Sequence, residues 1–344
     1  MTKQRSRARR LALAILAALL LLALGLVVQS QRRPDLAPYQ DLTLPAAAPA
    51  KPGAGELRLR FAGVSTLLFD DGETAWMSDG FFSRPGLPAM LATRIAPDPA
   101  RIEAGLRALG VRRLAAVIPL HSHYDHALDA PEVARRSGAL LMGSASTLQI
   151  GRGAGLAATQ TRELKPGDTL RLGRFTLTFF ASRHSPTAWS DGHGDEEIAA
   201  PLTPPAHASA WREGTVFALL VEHEGRRLWV QSSAGFVPGA FQGQRADTLL
   251  LGIGTLGKKD AAYRDAYWRE LARTLDARRV IPIHWDDFWQ PLEAQRPLQA
   301  MPYLFDDTGL SLAELHERAR AEGRELRLPP LFLPFDPFIA KTPP

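Results

Sequence analysis

The region from Leu57 to the C-terminus predicts an α/β fold, preceded by one membrane-spanning helix. Short apolar or alternating runs recur through this region, and segments with helix-capping residues separate them, as is typical of layered α/β domains. No internal repeat and no second linker interrupts the alternation. We therefore predict a basic N-terminus and membrane anchor over residues 1–33, a spacer over residues 34–56 and one domain over residues 57–344.

The N-terminal segment has the length and the flanking charges of a membrane anchor. Leu11 to Val28 is an unbroken run of 18 apolar or glycine residues, with five basic residues before it and two after it. This run is close to the length of a transmembrane helix. The positive-inside rule then places the N-terminus in the cytoplasm. We expect a single-pass protein of the bacterial inner membrane, with its domain in the periplasm or outside the cell.

A cleaved signal peptide is the alternative interpretation of this segment. The residues that follow the apolar run, 27–32, contain no small-x-small cleavage site, which favours an uncleaved anchor. The next stretch, Pro34 to Glu56, is rich in proline and alanine and has no apolar periodicity. It predicts a semi-rigid spacer between the membrane and the domain.

The charge distribution argues against a nucleic-acid partner. The chain has a net charge of +5, but its first 33 residues contain seven basic and no acidic residues. Subtracting those seven from 41 basic residues leaves 34, against 36 acidic residues, so the remainder of the chain is not basic. Binding to nucleic acid needs a positively charged surface. Because the chain has no cysteine, any metal ion would have to be held by His, Asp or Glu.

The first half of the domain predicts five strands and two helices. Apolar or alternating runs predict strands at residues 57–61, 65–69, 75–78, 115–120 and 140–142. A helix is predicted from Asp98-Pro99 to the residue before Gly110, because a capping residue, a proline in the first turn and a terminal glycine mark its ends. A second, shorter helix is predicted near residues 131–136.

The second half continues the alternation around one long irregular segment. Strands are predicted at residues 175–180, 216–222, 227–231, 248–251 and 279–283, and the second and third of them form a hairpin around Glu224-Gly225. Helices are predicted at residues 261–275 and 311–322. Residues 185–212 contain four prolines and predict a loop or lid over a site.

The sequence His121-Ser122-His123-Tyr124-Asp125-His126 follows a predicted buried strand directly. Imidazole nitrogens and carboxylate oxygens are good zinc ligands, and a catalytic zinc site keeps one position open for water. His121 and His123 point the same way in extended backbone and can hold one ion. Asp125 and His126 can serve a second ion or orient the nucleophile. The alternative is a polar loop with surface histidines.

Two further histidines, His184 and His284, each follow a predicted strand. Together with the motif they give an arrangement that resembles the metallo-β-lactamase superfamily, from about Gly63 to Phe288. The resemblance implies an αββα sandwich, in which two packed β-sheets lie between outer helices. It also implies one or two zinc ions bound between the sheets.

The resemblance also implies a role for each candidate site residue. One zinc ion would be held by His121, His123 and His184, and a second by Asp125, His126 and His284. Asp79 resembles the acidic residue that ends an early strand in this family and supports the metal loop. Ser233 stands where family members usually have an aspartate that bridges both ions. A neutral hydroxyl supplies less charge, so the second ion should bind more weakly or not at all.

Local sequence narrows the resemblance further. Residues 63–68 and 284–288 look like the branch that contains the phospholipase D acting on N-acyl-phosphatidylethanolamine and the ascorbate-phosphate lactonase. We therefore predict a membrane-anchored hydrolase that uses zinc-bound hydroxide, with a phosphodiester of a lipid-like substrate as the candidate substrate. If only one ion binds, Asp125 would orient or deprotonate the water. A lactonase or β-lactamase-type hydrolase is one alternative, and a non-catalytic envelope binding protein on the same fold is another.

Other tryptophans and histidines lie near the candidate site in the sequence. The tryptophans that flank it, and are candidates for lining an apolar substrate cleft, are Trp189, Trp211, Trp285 and Trp289. Outside the motif, His193 and His207 are predicted to be loop residues, and His223 and His316 surface residues.

Overall fold

Two β-sheets pack face to face, with helices on the outer face of each. The computed structural model describes residues 2–47, 52–53, 55–187 and 196–339. The helices are α1 (Thr2–Gln31), α2 (Leu87–Ala92), α3 (Pro99–Ala108), α4 (Tyr124–Ala127), α5 (Ala130–Ser137), α6 (Ala145–Gly153), α7 (Ala261–Trp268) and α8 (Thr308–Ala321). A π-helical turn, Arg269–Arg273, continues α7. The layering is the αββα sandwich that the sequence predicts.

The first seven strands build most of one half of the sandwich. They are β1 (Arg58–Phe61), β2 (Leu67–Asp70), β3 (Ala75–Ser78), β4 (Arg94–Ile95), β5 (Ala116–Ile118), β6 (Leu140–Gly143) and β7 (Thr161–Glu163). All except β4 form sheet one, in the order β1-β2-β3-β5-β6-β7. β1, β2 and β3 pair antiparallel, whereas β3, β5, β6 and β7 run parallel.

The other eight strands build the second half. They are β8 (Thr169–Leu172), β9 (Phe175–Ala181), β10 (Ala206–His207), β11 (Phe217–His223), β12 (Arg226–Gln231), β13 (Thr248–Gly252), β14 (Arg279–Ile283) and β15 (Glu325–Leu326). All except β10 form sheet two, in the order β15-β14-β13-β12-β11-β9-β8. β10 pairs with β4 in a separate two-stranded ladder.

The main core lies between the two sheets. On β9 the alternating residues Phe175, Leu177 and Phe179 are buried in it, as expected for a strand with one face on the core. Trp76 of sheet one stacks on Phe69 and meets the ring of Phe175 of sheet two edge-on, with centroids 6.1 Å apart. Burying aromatic side chains of this size stabilises the sandwich by about 1.5–3 kcal/mol each.

Smaller cores lie on the outer faces, where the helices cover the sheets. Residues of α3 and α5, among them Ile102 and Val133, pack with Met77 of sheet one. α3 begins as predicted, because the Asp98 carboxylate accepts hydrogen bonds from the backbone N–H groups of Ala100 and Arg101. α7 and α8 cover sheet two in the same way.

The N-terminal segment forms a helix that is long and apolar enough to cross a membrane. Its apolar part is Arg9–Gln29, and none of the side chains in that window is buried against the domain. The spacer predicted over residues 34–56 differs from the structure in its first part. Pro34 and Leu44 are buried, and the backbone N–H of Leu44 donates to the carbonyl of Leu328. Residues 34–47 therefore lie on the domain, because Leu36, Tyr39 and Leu42 pack on its outer core and Leu44 joins the main core.

The prediction that His223 is a surface residue is wrong. His223 ends β11, is only 2% exposed, and its Nε2 lies 3.0 Å from Asp71 Oδ2 in the turn between β2 and β3. The pair ties the two sheets together at the end of the sandwich away from the histidine motif. His316 is partly exposed, as predicted. The prediction that His207 is a loop residue is wrong, because it lies in the short strand β10, which pairs with β4. His193 lies outside the described residues.

A buried ion pair fastens the segment between β3 and α2 to the segment after β14. The guanidinium of Arg84 lies 2.7 Å from the Asp286 carboxylate, and both side chains are almost fully buried. Asp286 also accepts a hydrogen bond of 2.7 Å from the backbone N–H of Val64. Gly63 leaves the space for this pair, since a Cβ there would lie 1.8 Å from Arg84 Nη2. Only glycine fits at that position.

Removing one partner of this pair should destabilise the fold strongly. We expect Asp286→Ala to lower the free energy of unfolding by about 3–5 kcal/mol, because Arg84 would remain buried and unpaired. Glu103→Ala breaks the exposed pair with Arg107 and should change stability by less than about 0.5 kcal/mol. Urea unfolding in mild detergent measures both variants. If both variants lower the free energy of unfolding by equally small amounts, the buried pair does not stabilise the fold as proposed.

Candidate metal centre

The candidate ligands lie at one edge of the sandwich, where strands of both sheets end. His121 follows β5 of sheet one, and the rest of the motif continues into the short helix α4. His184 follows β9 and His284 directly follows β14, both in sheet two. The two sheets therefore each contribute side chains to the same cleft, and the centre exists only when the sandwich is closed.

The structure brings three histidines into a first group. The ligand atoms of His121, His123 and His184 all lie within 4.8 Å of one another. Their ring centroids are separated by 4.6 to 5.2 Å, and the rings meet edge to face. Three imidazoles that converge at this spacing can share one cation while leaving a coordination position open.

Asp125, His126 and His284 form a second group with equally close ligand atoms. Asp125 Oδ2 lies 3.5 Å from His126 Nε2 and 3.4 Å from His284 Nε2. The groups are adjacent, since the ring centroids of His121 and His126 are 3.8 Å apart. The six candidate ligand residues thus divide into the same two sets of three that the family resemblance implies.

The nitrogen atoms of these histidines fit a role as cation ligands. Within the described part of the chain, neither ring nitrogen of buried His121 has a hydrogen-bond partner, and His126 Nε2 also lacks one. Buried polar atoms without a partner are rare in native structures and need an explanation. His184 directs Nδ1 to the Ser185 carbonyl at 2.8 Å, which leaves Nε2 for the cleft. A cation bound in each group would take up one ring nitrogen of each of these histidines.

The protonation states favour the same role. Burial, followed by the charges of neighbouring histidines, holds the pKa of His121 well below its usual value. Burial likewise lowers the pKa of His184 well below the usual value and that of His123 to about 4. Burial alone would raise the pKa of Asp125, but His126 and His284 outweigh it and hold that pKa well below normal. At neutral pH the first group is uncharged and Asp125 is ionised, which are the forms that ligate metals.

Asp79 supports the second group from behind. It directly follows β3, is fully buried, and its Oδ2 lies 2.7 Å from His126 Nδ1. Its Oδ1 accepts a hydrogen bond from the backbone N–H of Leu120, next to His121. Burial would lower the pKa of His126, but Asp79 and Asp125 outweigh it, and the pKa is raised. Asp79 thus fixes the orientation of the His126 ring and directs Nε2 into the cleft.

The segment that presents His284 is held in an uncommon backbone conformation. His284 has a φ of 56° and Val64 a φ of 50°, both in the left-handed region that side chains with a Cβ seldom adopt. The backbone N–H of His284 donates to the Val64 carbonyl at 2.7 Å, so the two residues stabilise each other. Such strain persists where the surroundings enforce it, and it often marks a functional site.

Sequence reasoning missed the residues that enforce this conformation. They are Arg84 and Asp286, whose buried pair fixes Val64 opposite His284. The sequence offered one indication, since Asp286 comes two residues after His284, which itself follows a predicted buried strand. The sequence could not indicate that Arg84 pairs with Asp286, because the two residues lie 202 positions apart.

Ser233 lies beside the first group, but its hydroxyl is hydrogen-bonded to the backbone. Its Oγ accepts a hydrogen bond of 2.9 Å from the N–H of Ser185, the residue after His184. Its carbonyl accepts a hydrogen bond from the hydroxyl of Tyr267. Ser233 therefore supports the turn that carries His184, and its correspondence to the bridging position of the family stays a prediction.

The predicted tryptophan cleft is only partly right. Trp211 and Trp285 are buried in the cores and do not line an open cleft, because apolar neighbours enclose both rings. Trp289 is half-buried near the site, and its Nε1 donates to the Tyr124 hydroxyl at 3.0 Å. Trp189 lies outside the described residues. In the predicted lid, residues 206–210 are ordered as β10 and a short 3-10 helix.

The chain folds as a sandwich of two mixed sheets, and histidines and a carboxylate converge at its strand ends. This combination of fold and site is that of a metal-dependent hydrolase. The model of the beta-lactamase superfamily domain matches residues 89–285, and the chain belongs to this superfamily. The predicted superfamily and fold are confirmed.

Similar proteins agree with this class. A UPF0173 metal-dependent hydrolase of Methanopyrus kandleri is 26% identical over 209 residues, covering 59% of this chain and 81% of the relative. One of Pyrobaculum arsenaticum is 24% identical over 246 residues, covering 70% and 88%. A variant of the β-hydroxylase CmlA, a diiron enzyme of Streptomyces venezuelae, has a TM-score of 0.50 at 14% identity, covering 79% and 52%, and shows the shared fold. The branch that contains the phospholipase D and the lactonase stays a prediction.

Loss of the Asp79 carboxylate should weaken metal binding at the second group. We expect Asp79→Asn to lower its affinity by about 10–100-fold, because the His126 ring loses its orienting partner. Asp71→Asn is the matched control, since Asp71 makes the same kind of bond to His223 far from the cleft. Titration calorimetry with divalent cations measures both. Equal losses in the two variants would contradict the assigned role of Asp79.

Proposed function

We propose that this chain is a membrane-anchored, metal-dependent hydrolase with two adjacent ligand groups, the first of which holds one divalent cation tightly. The observation that carries the proposal is the convergence of six buried or half-buried ligand residues in two adjacent groups. Five imidazoles and one carboxylate are more than a structural site would use. They are also more than a binding protein that had lost catalysis would need, which argues against that alternative.

The chain's own residues set up the reaction around the cations. When bound, zinc or a similar cation supplies a Lewis acid and a water-derived nucleophile at neutral pH. His121, His123 and His184 would hold the first ion, and Asp125, His126 and His284 the second. With only the first group loaded, Asp125 is free to orient the attacking water and to take its proton at Oδ2.

We propose zinc as the ion of the first group. Imidazole nitrogens suit zinc, copper, iron and nickel, whereas magnesium and calcium prefer all-oxygen sites. The described ligands include five imidazoles and only one carboxylate, so the hard cations are disfavoured. Metal analysis of the protein as purified, without chelator, distinguishes zinc from iron.

A phosphodiester of a lipid-like substrate is the substrate that we propose. The support is the apolar helix α1, which would keep the cleft near a bilayer, together with the local sequence around Gly63 and His284. A lactone or a β-lactam would require the same cations and the same nucleophile. Hydrolysis of a chromogenic phosphodiester in mixed micelles, compared with soluble chromogenic lactones and β-lactams, separates these substrates.

Metal content should reveal whether Ser233 occupies the bridging position. We expect one tightly bound ion per chain in the wild type and two in Ser233→Asp, because an added carboxylate offsets the charge of a second dication. Ser233→Asn introduces a side chain of nearly the same shape as aspartate but without the charge, so it should still bind one ion per chain. Elemental analysis on the full chain in detergent gives the numbers. Two ions in the wild type would mean that another group bridges them.

Asp125 should be needed for turnover but not for the first ion. We expect Asp125→Asn to abolish hydrolysis of whichever chromogenic substrate the wild type accepts, because the amide cannot take a proton from water. Elemental analysis should still find one metal ion per chain, held by the three histidines of the first group. Retained activity in this variant would overturn the role of Asp125.

A further inference from the structure

The end of helix α1 is attached directly to the part of the domain that carries His284. The carbonyl of Arg32 accepts a hydrogen bond of 2.9 Å from the backbone N–H of Tyr303. The Arg33 guanidinium lies 2.7 Å from the Asp287 carboxylate, which is almost fully buried. Asp287 is only three residues beyond His284. No free linker therefore separates the point where α1 ends from the segment that shapes the cleft.

The following residues make this attachment rigid. Pro34 is buried, and its ring lies against Gly309 near the start of α8. Leu36, Tyr39 and Leu42 then pack on the outer core of sheet two. A helix that crosses a bilayer and continues into such packing fixes the orientation of the whole domain relative to the membrane surface.

A row of aromatic and apolar side chains connects the cleft with the end of α1. The rings of His284 and Phe288 are 5.6 Å apart, those of Phe288 and Trp289 5.2 Å, and those of Trp289 and Phe305 4.6 Å. Leu304, next to Phe305, is 41% exposed. It also neighbours Tyr303, whose backbone binds Arg32. The row of apolar side chains thus leads from a candidate ligand to the membrane helix.

Helix α2 contributes further apolar side chains to the same side of the cleft. Met90 packs against the same buried cluster as Tyr124 and Phe288, whereas Leu91, the next residue, is 69% exposed. Single exposed apolar side chains are ordinary, but a contiguous row of them marks a surface that meets a partner or a membrane. Tryptophan and phenylalanine beside exposed leucines are typical of segments that lie in a membrane interface.

We propose that Leu91, Trp289, Leu304 and Phe305, the apolar rim, contact the bilayer that α1 crosses. The candidate metal cleft then opens toward the membrane surface and receives the headgroup of an amphiphile whose acyl chains stay in the bilayer. This inference rests on the proposed membrane anchor and names the substrate class of the proposed hydrolase. The exposed Arg32 at the end of α1 lies where it can meet lipid phosphates.

Single-cysteine labelling tests the position of the rim. Because the chain has no cysteine, each of Leu91→Cys, Leu304→Cys, Leu20→Cys and Leu140→Cys offers one site for an environment-sensitive fluorophore. Leu20 lies in α1 and reports insertion of the anchor. Leu140 is a matched control, since it is an exposed leucine at the start of β6, which runs parallel to β5. Because His121 follows the opposite end of β5, Leu140 lies at the end of sheet one away from the cleft.

The full-length labelled variants are reconstituted into vesicles of phosphatidylethanolamine and phosphatidylglycerol, with and without lipids brominated on the acyl chains. We expect labels at positions 20, 91 and 304 to lose emission in the brominated vesicles, and the label at position 140 to keep it. If position 20 is quenched but 91 or 304 is not, or if 140 is quenched as well, the proposed rim is wrong.

The same measurement keeps the two proposals separate. If the label at position 20 keeps its emission, the membrane anchor itself is wrong, and the rim fails with it. None of these readings uses turnover or bound metal. A failure of the hydrolase proposal would instead appear as missing metal or missing activity in unlabelled protein, whatever the labels show.

Discussion

The buried carboxylate of Asp286 is the contact on which the geometry of the metal centre depends. It accepts hydrogen bonds from Arg84 and from the backbone of Val64, each at 2.7 Å. Val64 in turn accepts the N–H of His284. One carboxylate therefore joins the turn after β1 in sheet one to the segment after β14 in sheet two. Without it, the left-handed conformations of Val64 and His284 would lose the surroundings that enforce them.

Neither sheet contains a complete set of ligands, and this couples the chemistry to folding. His121, His123, Asp125 and His126 come from sheet one, and His184 and His284 from sheet two. Bringing so many imidazoles together in a buried place lowers the pKa of several of them and leaves polar atoms unpaired. A cation that binds only the folded chain repays this cost, so metal should stabilise the closed sandwich.

The apolar helix α1 and the candidate metal centre meet on the same side of the domain. Arg33 pairs with Asp287, the residue after the buried Asp286, so two successive carboxylates face in different directions. One fastens the two sheets behind His284, and the other fastens the domain to the end of α1. The charges that make the chain basic lie around this helix, while the domain itself is nearly neutral.

The sequence alone determined the features that depend on neighbouring residues. The apolar run of α1, the Asp98 cap of α3, the strand before His121 and the grouping of the motif all follow from local spacing. With the resemblance to a known superfamily, it also indicated His184, His284 and Asp79. The tertiary structure decided that residues 34–47 pack on the domain, that His223 is buried against Asp71, and that Trp211 and Trp285 belong to cores. It also decided the pairing of Arg84 with Asp286. These features join residues far apart in the chain, and whether such side chains meet depends on how two separate sheets pack, which no local pattern encodes.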